Sequence, residues 1–219
     1  MSFYFEQING KKVLKSTLLK DVLHCFTTRE INVEEVLSSF GAKYNIYPTQ
    51  THSHNVEFVD DRLEYPNTDS LILTKKDTTI YLKFADCTPI ILYDIEQKIG
   101  AIVHAGWRGT AKSIGIKTIE KMNSKPENII ALIGPAIGEC CYEVSDEVKQ
   151  EVLSTVNNKE GLFNNRNIDL KQINARQLQE IGVDKIDICP YCTSCNNDLF
   201  YSYRKENGTD KRHYALFKL

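Results

Sequence analysis

The stretch Phe84–Thr110, FADCTPIILYDIEQKIGAIVHAGWRGT, decides the reading of this chain. Pro89–Tyr93 and Ile99–Val103 are apolar runs of strand length, and Ile80–Phe84 just upstream reads as a third strand. Cys87 and His104 then fall at strand ends, where side chains leave a rigid scaffold for loops. AlaGlyTrpArgGly, 105–109, separates the last run from a helical pattern over Thr110–Met122. Gly106 and Gly109 let the backbone approach a ligand closely. The helix start behind them offers free N–H groups and a positive dipole end, which suit a phosphate. Taken singly, each of these residues also reads as a buried cysteine, a core histidine or a turn glycine. Their combination reads as a site.

Outward from that stretch, Phe3–Ile8 and Lys12–Leu14 flank Asn9-Gly10, which predicts a hairpin with a type I′ turn. Val22–Thr28 reads as a strand ending at Arg29. Asn32 with Glu35 three residues on predicts a helix start, Gly41 its stop, and Val33, Val36, Leu37 and Phe40 its apolar stripe. Ile46–Gln50 and Asn55–Val59 read as extended on either side of ThrHisSerHis, 51–54. On a strand His52 and His54 would share a face, either as a metal pair or as two wet side chains. Asp60–Asn67 is a polar loop, closed by Asp69 before the strand Ser70–Leu73. Downstream come the apolar strand Ile129–Ile133, the rigid turn GlyProAlaIleGly, and a helix capped by Ser145. After a polar loop, 157–167, a helix spans Asp169–Ile181 with Gly182 as its stop. The tail carries Cys189, Cys192 and Cys195 and a final strand, His213–Phe217. That cysteine run lacks the second ligand pair of a zinc ribbon, and an iron–sulfur site would need a fourth thiolate from elsewhere. It therefore reads first as plain reduced cysteines, with a structural metal as the lesser alternative. No composition shift divides the chain, so residues 1–219 read as one domain.

Hydrophobic residues make up 42% and charged residues 26% of the chain, the proportions of a globular protein. A net charge of −2 argues against nucleic acid and anionic membrane as partners. No apolar run reaches the ~20 residues of a membrane span. Seven cysteines without a secretory start predict reduced thiols and a cytoplasmic location.

Three side chains invite chemistry together: His52, Cys87 and His104. A catalytic zinc site takes three protein ligands and keeps a fourth position for water or substrate. They lie far apart in the sequence and match no local metal motif. A metal-free alternative uses Cys87 as thiolate nucleophile and His104 as its base.

GlnThrHis at 50–52, AlaAspCys at 85–87, HisAlaGlyTrpArgGly at 104–109, IleGlyProAlaIleGly with CysCysTyrGluVal at 133–144, and CysThr with PheTyrSerTyrArg at 192–204 resemble one family. It is the YfiH/laccase-domain family, once labelled multicopper polyphenol oxidoreductases and now described as purine nucleoside phosphorylases. The resemblance runs from about Phe26 to the end of the chain. It implies an α+β fold of mixed β-sheets packed together with flanking helices. It also implies a Zn2+ site from His52, Cys87 and His104, with copper as the lesser candidate and His54 a neighbour outside the ligand set. The implied activity is phosphorolysis of adenosine, inosine and 5′-methylthioadenosine, with adenosine deamination in the same pocket. Some bacterial relatives carry a peptidoglycan-editing label. Purine nucleosides and phosphate are the expected partners, and a monomer or weak homodimer the expected state.

On this reading Gly106, Arg108 and Gly109 hold phosphate, joined by Arg29 unless that residue serves a surface ion pair. Asp86 either orients a ligand histidine or caps a turn. Trp107 stacks on a purine or simply packs. Two departures from the family pattern stand out. The loop after Arg29 lacks the usual GlyGlyValSer-type run, and Lys205 and Lys211 stand where arginine and glycine are usual.

Overall fold

Asn9 and Gly10 both take positive φ, 52° and 78°, as a two-residue hairpin turn requires, so β1 (Phe3–Ile8) folds back on β2 (Lys11–Ser16). The computed structural model describes residues 2–62 and 64–219. The chain continues through β3 (Leu23–Thr27), α1 (Val33–Phe40), β4 (Tyr44–Ile46), β5 (Val56–Phe58), β6 (Ser70–Leu73), β7 (Thr78–Phe84), β8 (Thr88–Asp94) and β9 (Ile99–Ala105). There follow α2 (Trp107–Ala111), α3 (Ile114–Met122), β10 (Ile129–Ile133), α4 (Asp146–Leu153), β11 (Phe163–Asn164), β12 (Asn167–Ile168), α5 (Leu170–Glu180), β13 (Lys185–Ile188) and β14 (His213–Lys218). Helix starts follow local chemistry. Asn32, Ser145 and Asp169 each accept a backbone N–H of their first turn, and Gly41 ends α1 at φ 59°.

Two mixed six-stranded sheets result, in the orders β1-β2-β3-β14-β7-β4 and β13-β10-β8-β9-β6-β5, so the architecture is α+β as expected. They pack face to face. Side-chain alternation along the strands of the second sheet explains how. Ile91 and Tyr93 of β8, Ile102 of β9 and Leu132 of β10 enter the core between the sheets, with Phe26, Phe84 and Phe217 opposite. Their neighbours Ile90, Leu92, Val103 and Ala131 point the other way, under α3 and α5. These strands are covered on both faces, which is why they are continuously apolar. The outer face of the first sheet is covered by α1 through Val33, Val36 and Phe40.

Three expectations change. The helix expected over Thr110–Met122 is two helices, because Ser113 turns left-handed at φ 52° between α2 and α3. His52 and His54 lie in the loop between β4 and β5, so no strand face is shared. A short strand, β13, pairs in parallel with β10 where the sequence suggested only a tail.

The packing between the sheets leaves no room for a side chain at two glycines. A Cβ on Gly134 would lie 2.3 Å from the Phe26 ring, and one on Gly100 would lie 2.3 Å from the Phe217 ring. Neither ring can yield in a filled core. Gly134→Ala is expected to cost about 1–3 kcal/mol in urea unfolding. An unchanged midpoint would mean that the core between the sheets is loose.

Candidate metal centre and cavity

Strand β7 belongs to the first sheet and β8 to the second, so the chain changes sheets between Phe84 and Thr88. Cys87 sits at that corner. Asp86 before it takes φ 83°, a left-handed conformation that a side chain adopts only when its surroundings hold it there. Two residues beyond Ile102 on β9, His104 points to the same inter-sheet side and emerges at the end of the strand. Its ring lies edge-on to Phe84, centroids 5.3 Å apart.

His52 arrives from the opposite direction, on the loop between β4 and β5. The side chain of Gln50 anchors that loop, bonding both the N–H and the C=O of Lys83 at 2.9 Å as a further strand residue would. The decisive anchor is Asp69, fully buried just before β6. Its carboxylate accepts the backbone N–H groups of Thr51, His52 and Ser53 at 3.2, 3.1 and 2.7 Å, and the Ser53 hydroxyl at 2.7 Å. The same carboxylate is 2.7 Å from Nδ1 of His104. His52 itself adopts φ 60°. One carboxylate therefore holds the loop that carries one histidine and the ring of the other. Burial alone would raise its pKa; the His104 and Ser53 donors outweigh it and hold Asp69 at about 2.

The ligand-type atoms of His52, Cys87 and His104 all lie within 4.8 Å of one another, and the two imidazole centroids are 4.9 Å apart. Burial opposes charge on Cys87, yet the positive His104 ring and hydrogen bonds from both histidines bring its thiol below the ordinary value. His104 is shifted upward, because the Cys87 and Asp69 charges outweigh its burial. The donor set suits a metal ion. With Nδ1 of His104 engaged by Asp69, its Nε2 is the atom left to coordinate, the carboxylate–histidine arrangement common behind ligating imidazoles. A Cβ on Gly106 would lie 2.9 Å from Sγ of Cys87, so this position needs glycine for the cluster to close.

Above the cluster opens a cavity of about 630 Å3. Trp107, Tyr142 and Tyr203 supply aromatic wall, and Lys83, Arg204 and Arg212 supply charge. Among the described residues none of these three cations has a carboxylate within ion-pair distance of its charged group; the guanidinium groups of Arg204 and Arg212 donate to backbone carbonyls. These side chains give the cavity wall positive charge, with the Asp86 carboxylate also on its lining.

Several expected roles move. Asp86 does not orient a histidine: it accepts the Thr193 hydroxyl at 2.6 Å and the Arg204 N–H at 2.7 Å, and Asp69 holds His104. Arg108 lies over the Trp107 ring, 4.3 Å from its centroid, and does not line the cavity. Gly109 is packed against Ile114 and the His104 carbonyl, so it holds backbone and not ligand. Arg29 is tied to Glu206 and stacks on Tyr201, 4.2 Å away, outside the cavity wall. Trp107 does line the cavity, with the Arg108 guanidinium over its ring.

Fold and cluster together define an α+β protein of two stacked sheets carrying a Cys/His2 centre at a sheet-to-sheet corner. The chain belongs to the multi-copper polyphenol oxidoreductase laccase family, whose profile matches residues 27–219. It is 32% identical over 188 residues to the purine nucleoside phosphorylase YlmD of Bacillus subtilis, covering 76% of this chain and 68% of that one. A purine nucleoside phosphorylase of Clostridium acetobutylicum is 31% identical over 191 residues, covering 84% and 81%. The crystal structure of the hypothetical protein YfiH of Bacillus licheniformis superposes with a TM-score of 0.87 at 26% identity, covering 98% of each chain.

Asp69→Asn keeps the shape but removes the charge behind His104 and weakens the grip on the 51–53 loop. Affinity for Zn2+, read by competition with a chromophoric chelator, is expected to fall about 10–100-fold. Equal affinity in the two proteins would show that Asp69 does not support the centre.

Proposed function

We propose that this protein is a zinc-dependent purine nucleoside phosphorylase that converts adenosine, inosine and 5′-methylthioadenosine to free base and pentose 1-phosphate and also deaminates adenosine. The observation that carries the reading is the joint placement, around one cavity, of a Cys/His2 cluster and three cations whose charged groups have no carboxylate partner among the described residues. Family membership and the relatives' names support it. The donor set of one thiolate and two imidazoles is well matched to Zn2+ and leaves one coordination position free of protein. When bound, the ion supplies Lewis-acid charge to an oxygen of phosphate or water.

The residues of the chain do the rest. Phosphorolysis forms a C1′–O bond to phosphate as the C1′–N bond breaks and its electron pair leaves with the purine. Arg204, Arg212 and Lys83 hold the phosphate anion and so place its oxygen against the sugar. Tyr142 and Trp107 offer flat faces to the base. Burial, and then the Cys87 charge, push the Tyr142 hydroxyl upward, so it keeps its proton and can donate to a ring nitrogen as the base departs. We place the enzyme in the cytoplasm, as a monomer or weak homodimer; among the described residues no helix is long and apolar enough to cross a membrane.

A metal-free hydrolase is the second reading, because Cys87, His104 and Asp69 line up as nucleophile, base and orienting carboxylate. That scheme gives His52 no task. Copper is the lesser candidate for the ion: the chain has five histidines, of which two stand in this cluster, too few for several copper centres.

With phosphate present, purified protein should release base and pentose 1-phosphate from at least one of the three nucleosides; a full panel without base release would end the proposal. Deamination of adenosine should persist when phosphate is withheld. Arg212→Ala should raise the KM for phosphate about tenfold or more, the loss of one charged hydrogen bond, and change the KM for nucleoside far less; equal changes in both would remove Arg212 from the phosphate site. Cys87→Ala or His52→Ala should lose zinc from the centre and activity together, whereas a thiol hydrolase would survive removal of His52.

A further inference from the structure

The cysteines left over from this site are not scattered. In the sequence Cys189, Cys192 and Cys195 lacked further ligands, and Cys140-Cys141 belonged to a separate turn. Folding re-sorts them. Cys189 is fully buried in the core between the sheets and takes no part. The parallel pairing of β13 with β10 carries on past both strands through a bridge between Ala136 and Cys192 and a Thr193 N–H to Ala136 C=O bond of 3.0 Å. That pairing sets the Cys192 turn beside the loop that follows β10. The Asn196 N–H bonds the Cys192 C=O at 2.8 Å, a helical turn that puts Cys192 and Cys195 on one face. On the other loop, Cys141 and Tyr142 both bond back to the Gly138 C=O at 3.0 Å, a tight turn that leaves the sulfurs of Cys140 and Cys141 facing Cys195.

The four sulfurs of Cys140, Cys141, Cys192 and Cys195 consequently lie within 4.8 Å of one another. Cys195 is 3.4 Å from both Cys140 and Cys141. Four thiolates around one tetrahedral Zn2+ at about 2.3 Å stand about 3.8 Å apart. Thiolates of an iron–sulfur cluster are divided over two or more irons and as a set of four spread wider. The Gly138 N–H points at Sγ of Cys192 from 3.2 Å, the donor that a bound thiolate commonly has. No apolar packing explains the group, since Cys140 and Cys195 are exposed.

We propose that Cys140, Cys141, Cys192 and Cys195 form a second metal centre, a closed tetrathiolate site for one Zn2+. Soft thiolates in a tetrahedral set select zinc, and binding displaces the thiol protons. All four positions are protein sulfur, so the site is structural and has no place for substrate. Its position gives it a task. Tyr142, next to Cys141, lines the cavity, and Thr193, next to Cys192, holds the Asp86 carboxylate beside Cys87. The ion clamps together two loops that help to build the catalytic cavity. The inference stands whether or not the nucleoside reading does.

The test uses the full chain with Cys87→Ala, which opens the first centre and leaves the second intact. That variant, dialysed against a weak chelator, should retain about one zinc per chain, and its X-ray absorption should show four sulfur neighbours at about 2.3 Å. Adding Cys195→Ser should abolish this zinc, and wild-type protein should carry about two. The proposal is overturned if C87A protein is zinc-free, if its zinc has nitrogen or oxygen neighbours, if an iron–sulfur chromophore is found, or if its mass is two daltons low from a disulfide within the cluster. Because the absorption spectrum is read on C87A alone, a folding defect in C195S does not alter what the spectrum decides.

Discussion

Asp69 is the constraint on which the centre depends. A carboxylate taken out of water costs several kcal/mol unless its oxygens are fully hydrogen-bonded. Here three loop N–H groups, one hydroxyl and one imidazole satisfy them. The same bonds that make burial tolerable fix two candidate metal ligands at once, one through its backbone and one through its ring. The β6–β9 register makes this possible: Ser70 pairs with Val103, so Asp69 and His104 meet as the next residues, and the His104 N–H also bonds the Asp69 carbonyl at 2.7 Å. Left-handed backbone at His52 and Asp86, each at or beside a ligand, is tolerated because these contacts over-determine it.

The rest of the fold serves to bring three chain segments to one corner. Changing sheets between β7 and β8 puts Cys87 at the rim of the core, and the rigid inter-sheet packing of Phe84 holds it. The cavity wall comes from farther off, from the segment between β10 and α4 and from the turns before β14. Those segments have little regular structure of their own. Their shape depends on the hydrogen bonds of Asp86 and, on our inference, on a second ion.

Much of the scaffold was legible from residue order because its causes are local. Asn9-Gly10 dictated its turn, Asn32, Ser145 and Asp169 their helix starts, and the apolar runs β8, β9 and β10 their burial on two faces. What local rules could not show was set by tertiary contacts. Asp69 read as a loop residue because its partners lie on two other segments. Arg108 read as a phosphate ligand from its place near a helix start, but its guanidinium found the Trp107 face, and Arg204 and Arg212 from the far end of the chain took the cavity wall. The grouping of the cysteines was hidden for the same reason: the sulfurs beside Cys195 belong to Cys140 and Cys141, 55 and 54 residues upstream across a parallel strand pairing. His52, Cys87 and His104 stood out by residue type, two of them at strand ends, and were joined into one site by family motifs since their spacing matches no metal motif; the structure brings them within reach of one ion.

The most direct measurement is the proton position on the His104 ring. Long-range 1H–15N correlation of the zinc-loaded, 15N-labelled protein resolves the tautomer of each of its five histidines. A single state is expected for His104, with the proton on Nδ1 facing Asp69 and Nε2 shifted as a metal ligand. A proton on Nε2, or a ring exchanging between both forms, would contradict the role given to Asp69.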